Sequence, residues 1–139
     1  MKKYTHNPKV ITYLLLTILA FICYDCSTPS VMVTSEQKAG DDYFNLHNYP
    51  EAIVHYKNML EASKQLGVYR NLTAEADVHR KIADSYIMMG RYNEAKASAA
   101  DALQKDSTEN NRVNIIQDYR LLGRIEMYKG FNRKAISYF

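Results

Sequence analysis

Cysteine is scarce in this chain of 139 residues, and its two copies lie close together near the N-terminus. Cys23 and Cys26 have a Cys-x-x-Cys spacing, which in some proteins marks a redox pair. That chemistry needs a thiolate stabilised at a helix start within a thioredoxin-like fold, and nothing around these residues supplies it. Because no cysteine follows Cys26, no thiol chemistry is predicted for the rest of the chain.

An excess of charge of one sign is also lacking. The formal net charge is +3, and residues 1–30 supply +2 of it through Lys2, Lys3 and Lys9 against Asp25. The remaining residues carry 15 basic and 14 acidic side chains. A nucleic-acid-binding domain concentrates Lys and Arg on one face or is clearly basic overall. The near-neutral balance therefore argues against a nucleic acid as partner.

Signatures of catalysis and of cofactor binding are missing from the sequence. It contains no phosphate-binding loop, nucleophile elbow, zinc-type His/Cys spacing or dinucleotide fingerprint. His47, His55 and His79 are predicted to lie on different helices, and the adjacent Asp41 and Asp42 point to different faces of one helix. We predict no catalytic residue, no metal, no cofactor and no small-molecule substrate, and hence a protein that is not an enzyme.

Residues 10–24 form an apolar run without a charged side chain. As a helix it would cover about 22 Å, short of the roughly 30 Å of a bilayer core, which favours a cleaved signal peptide. No Ala-x-Ala-like cleavage site follows it, which favours a retained membrane anchor. A third alternative is a bacterial lipoprotein with lipidation at Cys26, although Asp25 stands where such signals have a small residue.

These three alternatives share one topology, because the lysine-rich N-terminus would stay in the cytoplasm. We assign residues 1–30 to a signal or anchor segment with a short linker and residues 31–139 to one separate domain. The predicted localisation is membrane-anchored through residues 10–24, with the domain outside the cytoplasm, on the periplasmic or surface side. A secreted protein or a lipoprotein is the alternative.

Residues 31–139 contain three copies of one pattern of small and aromatic residues. The copies cover about 34–66, 73–105 and 112–139, the last one truncated, and each is predicted to form a helical hairpin. Small residues mark where the two helices of a hairpin approach closely, and the tyrosines one helical turn away are predicted to fill the core between hairpins rather than to bind a ligand. The small positions are Gly40, Ala52, Ala83, Ala95, Gly123 and Ala135, and the tyrosines are Tyr43, Tyr56 and Tyr86.

Local signals predict where these helices begin and end. Thr34 and Gln37 fit a capping box, which places the first helix start at Thr34. Pro50 suits a first helical turn, whereas Gly67 and Gly90 are suited to the left-handed conformation that closes a helix. The polar residues 106–110 are predicted to form the turn between the second and third hairpins.

The repeated pattern, seen in full in Gly90-Arg91-Tyr92-Asn93-Glu94-Ala95, resembles the tetratricopeptide repeat (TPR) over about residues 34–139. The spacings of 43 residues from Ala52 to Ala95 and 40 from Ala95 to Ala135 exceed the usual repeat of about 34 and resemble a longer variant common in bacterial signalling proteins. The third copy departs from the pattern at Glu126 and Asn132, where an aromatic residue is preferred. The resemblance implies an all-α, right-handed superhelical array of about two and a half to three hairpins, preceded by an apolar N-terminal helix.

The resemblance also implies a function, because TPR arrays bind peptides or partner helices in a groove lined by the first helix of each hairpin. We expect a protein or peptide partner, and we hypothesise that Arg80, Arg120 and Arg124 accept an acidic segment through bidentate contacts. The residues mapped to the groove are Gln37, Asp41, Phe44, Asn45, Arg80, Lys81, Asp84, Met88, Arg120, Arg124 and Tyr128.

Two functional interpretations stay open on the sequence alone. One is a membrane-tethered scaffold or adaptor for protein–protein interaction. The other is the sensory N-terminal part of a longer membrane signalling protein, a histidine kinase or a transcription regulator. The apolar residues Ile136 and Phe139 in the last hairpin lead us to expect either further chain or another molecule covering that end.

Overall fold

The computed structural model describes residues 28–67 and 70–139, and these residues form an all-α array of stacked helical hairpins, as predicted. Its six helices are α1 (Pro29–Asn45), α2 (Tyr49–Gln65), α3 (Leu72–Met88), α4 (Tyr92–Thr108), α5 (Arg112–Tyr128) and α6 (Asn132–Ile136). The predicted anchor at residues 10–24, with Cys23 and Cys26, lies outside the described residues. None of the helices in the described part of the chain is long and apolar enough to span a bilayer.

Each hairpin pairs two consecutive helices, α1 with α2, α3 with α4 and α5 with α6. The hairpins stack through α2 on α3 and α4 on α5, so the second hairpin has a neighbour on both sides. Such stacking buries an apolar core that no single hairpin could bury alone. The first five helices have 17 residues each, whereas α6 has five.

Each of the helices α1 to α5 is followed by one residue in the left-handed conformation. Gly90 has a φ of 71° and Gly130 of 80°, and the amide of the following residue in each case returns to a carbonyl of the last helical turn. His47 and Asn110 occupy the same conformation after α1 and α4, with φ of 59° and 53°. Gly67, predicted to close α2, also has a positive φ of 56°. All five turns need a residue with positive φ, and that residue is glycine in three of them.

The predicted start of the first helix at Thr34 is wrong, since α1 begins at Pro29. Pro29 has a fixed φ and no amide proton, which suits a first helical turn, and Thr28 before it is extended. The Thr34 hydroxyl donates to the carbonyl of Val31 at 3.0 Å instead of capping a free amide. The predicted boundary between residues 30 and 31 therefore falls inside a helix.

The predicted polar turn at residues 106–110 is also wrong in its first three residues, because α4 continues to Thr108. The hydroxyls of Ser107 and Thr108 donate to carbonyls one turn earlier, at 2.6 and 2.9 Å, so both polar side chains are accommodated within the helix. Asp106 is fully buried and takes part in the ion cluster described below. Polar composition alone did not distinguish a turn from a helix whose polar residues have partners.

Small residues lie where the helices approach most closely. Ala52, Ala83 and Ala95 are fully buried, and Gly40 and Ala135 are also buried. A Cβ atom on residue 40 would lie 2.5 Å from the Tyr56 ring, and one on Gly123 would lie 2.8 Å from the Phe139 ring. Glycine is therefore required by packing at residue 40, where the facing ring is itself buried.

Aromatic side chains fill the spaces beside these small residues in the first two hairpins. Tyr56 is almost fully buried and its hydroxyl donates to Asp41 Oδ1 at 2.7 Å. Tyr43 is half-buried and stacks on the His55 ring with centroids 5.1 Å apart, and Tyr86 is buried. These contacts place the tyrosines in the packing between helices.

In the third hairpin Glu126 stands where Tyr43 and Tyr86 stand in the others, and it is buried. Its carboxylate pairs with Lys96 of α4, and this hydrogen bond lowers the pKa of Glu126 below its ordinary value. One oxygen, Oε2, has no hydrogen-bond partner among the described residues. At this repeat position an ion pair between α4 and α5 thus stands in place of a tyrosine.

A second buried carboxylate joins the first two hairpins. Glu75 on α3 accepts hydrogen bonds from Arg70 at 2.6 and 2.8 Å, from Ser63 at 2.6 Å and from Lys105 at 2.7 Å. Burial favours its neutral form, but these bonds to the charged form outweigh burial and lower the pKa of Glu75 to about 2. The network connects α2, α3, α4 and the loop before α3.

Candidate binding groove

Ion pairs link the first helices of neighbouring hairpins. Lys81 Nζ on α3 lies 2.6 Å from Asp41 Oδ1 on α1, and Arg124 on α5 pairs with Asp84 on α3. These four side chains were all mapped to the groove surface, and all are partly exposed. The charges of these four side chains are therefore largely balanced within the array.

Arg80 lies at the centre of a cluster of three carboxylates contributed by three helices. Its Nη1 is 2.5 Å from Asp106 Oδ2 on α4 and 2.8 Å from Asp118 Oδ1 on α5, and its Nη2 pairs with Asp77 on α3. Only 12% of the Arg80 side chain is exposed, and Asp106 and Asp118 are fully buried. Asn114 also donates to Asp106, at 3.2 Å.

This arrangement corrects the role hypothesised for Arg80. A guanidinium that already satisfies three internal carboxylates has little capacity left for an acidic ligand. Burial favours the neutral form of Arg80, yet the hydrogen bonds to Asp118, Asp77 and Asp106 raise its pKa above the ordinary value. Arg80 acts as a structural cation that joins the second and third hairpins.

The cluster around Arg80 contains three carboxylates and one guanidinium group. Asp118 Oδ2 has no hydrogen-bond partner in the part of the chain that the structure describes. Burial raises the pKa of Asp118 to about 6, and the nearby Asp106 carboxylate adds to this effect while Arg80 opposes it. Asp118 is consequently the member of the cluster whose charge is most costly to the folded state.

We expect Asp118→Asn to stabilise the protein above pH 6. The pKa of Asp118 is about 6 in the folded state, above its ordinary value of 3.8. Between pH 3.8 and about 6, Asp118 is therefore protonated in the folded state and ionised in the unfolded chain. This group's contribution to the free energy of unfolding therefore falls as pH rises through that window. Asparagine keeps an oxygen for Arg80 and cannot ionise, so we expect a gain of about 1–3 kcal/mol near neutral pH. Urea unfolding followed by circular dichroism at several pH values measures it.

Asp77→Asn is the matched control, because Asp77 contacts the same guanidinium but its side chain is 54% exposed. We expect little change in stability from this variant at any pH. Equal behaviour of the two variants, or a loss of stability in Asp118→Asn at neutral pH, would show that Asp118 is ionised without cost in the folded protein.

An open cleft of about 520 Å³ lies between α3 and α5. Its walls combine cationic, acidic, amide and apolar side chains, among them buried Leu121 and exposed Phe139. The lining residues are Arg80, Asp84, Gln117, Arg120, Leu121, Arg124, Met127 and Phe139. Four of the predicted groove residues, Arg80, Asp84, Arg120 and Arg124, thus line one cleft.

The other predicted groove residues lie away from this cleft. Phe44 is half-buried with its ring edge against Tyr49, at 5.5 Å between centroids, and Asn45 is exposed at the last position of α1. Met88 is exposed, and the Tyr128 ring stacks on Tyr92 at 5.8 Å. The ammonium group of Lys81 forms an ion pair with Asp41. The structure therefore does not gather Phe44, Asn45 and Lys81 with the arginines.

Several residues around the cleft were not predicted from the sequence. Gln117, Leu121 and Met127 were missed because their spacing on α5 suggests only an amphipathic helix, and Phe139 was expected at a covered end of the array rather than in a cleft. A signal for Asp118 did exist, since it stands at the repeat position of the buried Val78, where an acidic residue needs a partner. Within residues 28–67 and 70–139, no three His, Cys, Asp or Glu side chains are arranged to hold a metal ion.

Comparisons with known proteins agree with this architecture at the level of the fold. No protein-family model matches the chain, and no curated protein does. The fold is that of a TPR domain, a stack of antiparallel helical hairpins. Among solved structures, the TPR domain of Arabidopsis FLU is similar with a TM-score of 0.71 and 21% sequence identity, covering 79% of this chain and 90% of that one.

Proposed function

We propose that this protein is a non-catalytic interaction module that binds a peptide segment of a partner protein in the cleft between α3 and α5. The observation that carries the proposal is the open cleft of about 520 Å³ with charged walls and apolar Leu121 and Met127. Apolar surface beside a few placed polar groups is typical of binding sites. The TPR fold supports the same conclusion, because stacks of helical hairpins create extended surfaces for partners.

The chemistry of the exposed cleft favours a segment with acidic and apolar side chains. Arg120 and Arg124 are exposed, and both offer guanidinium groups that suit carboxylates. Arg124 already shares its charge with Asp84, so a ligand carboxylate would compete with or join that pair. Arg120 makes no ion pair with the described residues and is the stronger candidate. Exposed Met127 would contact the apolar side chain of the segment.

We expect a short peptide with a central leucine flanked by glutamates to bind the full-length protein about tenfold more tightly than its glutamine counterpart. The double variant Arg120→Ala and Arg124→Ala should remove this difference, because the carboxylates then lose their cationic partners. Isothermal titration calorimetry in detergent solution, at low and high salt, gives the affinities. Higher salt should weaken only the acidic peptide.

The double variant Arg112→Ala and Arg133→Ala changes the net charge equally, at exposed arginines that do not line the cleft. It should leave the preference for glutamate unchanged. If the acidic peptide bound equally well to the wild-type protein and to the Arg120 and Arg124 variant, acidic recognition at this cleft would be wrong.

We also propose that the module is tethered to a membrane through residues 10–24, with the repeats outside the cytoplasm. The support is the sequence: an apolar run of 15 residues that follows Lys2, Lys3 and Lys9. A tether confines the module near the bilayer and raises its effective concentration toward partners held there.

Membrane fractionation of bacteria that express the protein tests the tether. We expect the full-length chain in the membrane pellet, resistant to a high-salt wash, with the repeats digested by protease added outside the cytoplasmic membrane. A control chain that lacks residues 1–27 retains α1 and should remain in the soluble fraction. Repeats that stay protected while an added periplasmic marker is digested would contradict the proposed topology.

A further inference from the structure

A second cleft, of about 270 Å³, is lined by α2, α3 and α4, which belong to the first two hairpins. We call it the α2–α4 cleft. The cleft between α3 and α5 uses Arg80 and Asp84 of α3, and the two clefts share no lining residue. The α2–α4 cleft is lined by His79, Ile82 and Tyr86, which project from a different side of α3. A ligand in one cleft therefore leaves the other free.

Apolar side chains from all three helices line the α2–α4 cleft. Ile82 and Tyr86 of α3 are buried. Leu60 of α2 is partly buried, and Ala97 of α4 is exposed. Pockets for whole small molecules usually have volumes of about 300 Å³ or more. The smaller volume of this cleft suits one apolar side chain of a larger ligand.

Polar groups of α3 in this cleft have unused hydrogen-bonding capacity. The His79 side chain is only 16% exposed, and its Nδ1 lies 3.7 Å from Asp101 Oδ2, beyond hydrogen-bond distance. Burial, opposed by Asp101, lowers the pKa of His79, so the neutral ring offers one donor and one acceptor. The Tyr86 hydroxyl accepts a long contact of 3.4 Å from Lys57 Nζ and can still donate its own proton. A peptide backbone carries the matching amide and carbonyl groups.

One cation and one anion of the α2–α4 cleft are available to a ligand. Lys57 of α2 is exposed and forms no ion pair with any residue that the structure describes. Asp101 of α4 is 59% exposed and faces only the neutral His79 ring. Glu94 also lines the cleft, but Arg91 pairs with it at 2.8 Å.

These two charges lie beside different turns of α3. Lys57 contacts Tyr86, and Asp101 approaches His79. Tyr86 and His79 are seven residues apart, which is about 10.5 Å along the helix. In an extended chain alternate side chains face the same way, and four residues span about 13 Å. Acidic, apolar and basic residues at alternate positions of an extended segment therefore match the separation of the two charges.

We propose that the α2–α4 cleft binds an extended segment of a partner protein with the pattern acidic-x-apolar-x-basic. The acidic side chain of the segment pairs with Lys57, and its basic side chain pairs with Asp101. Its apolar side chain packs on Leu60 and Ile82 between the two charges. This site goes beyond the function proposed above, because it is a second site on another side of α3 and requires a ligand that carries both signs of charge.

The experiment uses the full-length chain in detergent and a labelled peptide, Ser-Glu-Ser-Leu-Ser-Lys-Ser, with blocked termini. Fluorescence anisotropy should show saturable binding to the wild-type chain. Ala97→Gln should weaken binding about tenfold or more, because the longer side chain takes the place of the peptide's leucine. Ala100→Gln is the matched control, since Ala100 is exposed on the same helix but does not line the cleft.

Double-mutant cycles test the two ion pairs. Lys57→Gln in the protein and glutamate-to-glutamine in the peptide should each weaken binding about threefold to fivefold, and the two together should cost no more than either alone. Lys57→Gln with lysine-to-glutamine in the peptide should give additive losses, because those groups lie at opposite ends. Asp101→Asn should show the reverse pattern. Circular dichroism verifies that these variants, all at exposed positions, keep the wild-type helix content.

Three results would overturn the proposal: no saturable binding, equal affinities for Ala97→Gln and Ala100→Gln, or additive losses in every cycle. Concentration-dependent dimerisation that Ala97→Gln abolishes would identify a second copy of this chain as the occupant instead.

The two clefts can be tested independently of each other. The double variant Arg120→Ala and Arg124→Ala should bind the Glu-Leu-Lys peptide as the wild-type chain does, and a loss would mean that this peptide is held in the cleft between α3 and α5. Ala97→Gln should leave the affinity for the acidic leucine peptide unchanged. Failure of the acidic peptide to bind, with retained binding of the Glu-Leu-Lys peptide, would remove the first site and leave the α2–α4 cleft standing.

Discussion

Replacing Arg80 with methionine is expected to lower the free energy of unfolding by about 3–5 kcal/mol. The change leaves Asp106 and Asp118, both fully buried, without their shared cation. Methionine approximates the aliphatic part of the arginine side chain, so most of the loss should come from the unpaired carboxylates. We expect the loss to be smaller at low pH, where Asp118, whose pKa burial raises to about 6, can take up a proton. Urea unfolding at about pH 8 and about pH 5 measures the difference.

Arg124→Met is the matched control, because Arg124 also joins α5 to α3 through one aspartate, Asp84, but in an exposed setting. An exposed pair of this kind contributes about 0–1 kcal/mol, so a small effect is expected. Adding Asp106→Asn and Asp118→Asn to Arg80→Met should restore much of the lost stability. Equal losses for the two arginine variants, or no recovery in the triple variant, would contradict the assigned role of Arg80.

Gly40→Ala is expected to cost about 2–4 kcal/mol, although alanine is the better helix former. The new Cβ would lie 2.5 Å from the Tyr56 ring, which is buried and fixed by the hydrogen bond of its hydroxyl to Asp41. Either the ring or α1 must move, and both movements disturb the packing of α1 on α2. Thermal unfolding followed by circular dichroism reports the loss directly.

Gly123→Ala offers a control at the equivalent repeat position. There the new Cβ would meet the Phe139 ring at 2.8 Å, but that ring is 73% exposed and can swing aside. We expect a change within about 0.5 kcal/mol, because the gain in helix propensity offsets the displaced contact. If Gly40→Ala left the stability unchanged, or Gly123→Ala lowered it strongly, the close approach of α1 to the Tyr56 ring would not be the constraint on residue 40.

The hairpin layout could be predicted from the sequence because its signals are local. Pro50 lies in the first turn of α2, and Gly90 has the left-handed conformation expected of a helix terminator. The start of the first helix was predicted wrongly because two local signals for a helix start lie close together. Thr34 resembles a cap, but Pro29 five residues earlier starts the helix.

The charge pattern of the cleft could not be predicted, because it depends on contacts between residues distant in sequence. Arg80 meets Asp106 and Asp118 from two other helices. Arg120 has the same repeat position, but Gln117 stands three residues before it where Asp77 stands before Arg80, and no ion pair of Arg120 is found among the described residues. The difference arises because α4 covers α3 along its full length and α6 covers only part of α5.

Hydrogen–deuterium exchange of the full-length protein, with and without the acidic leucine peptide, shows whether the peptide binds in the cleft between α3 and α5. We expect slower exchange in α3 and α5, concentrated in residues 80–88 and 117–128, because those segments border the cleft. Protection confined to α2 and α4, or no protection at a saturating peptide concentration, would contradict binding at the first-helix surface.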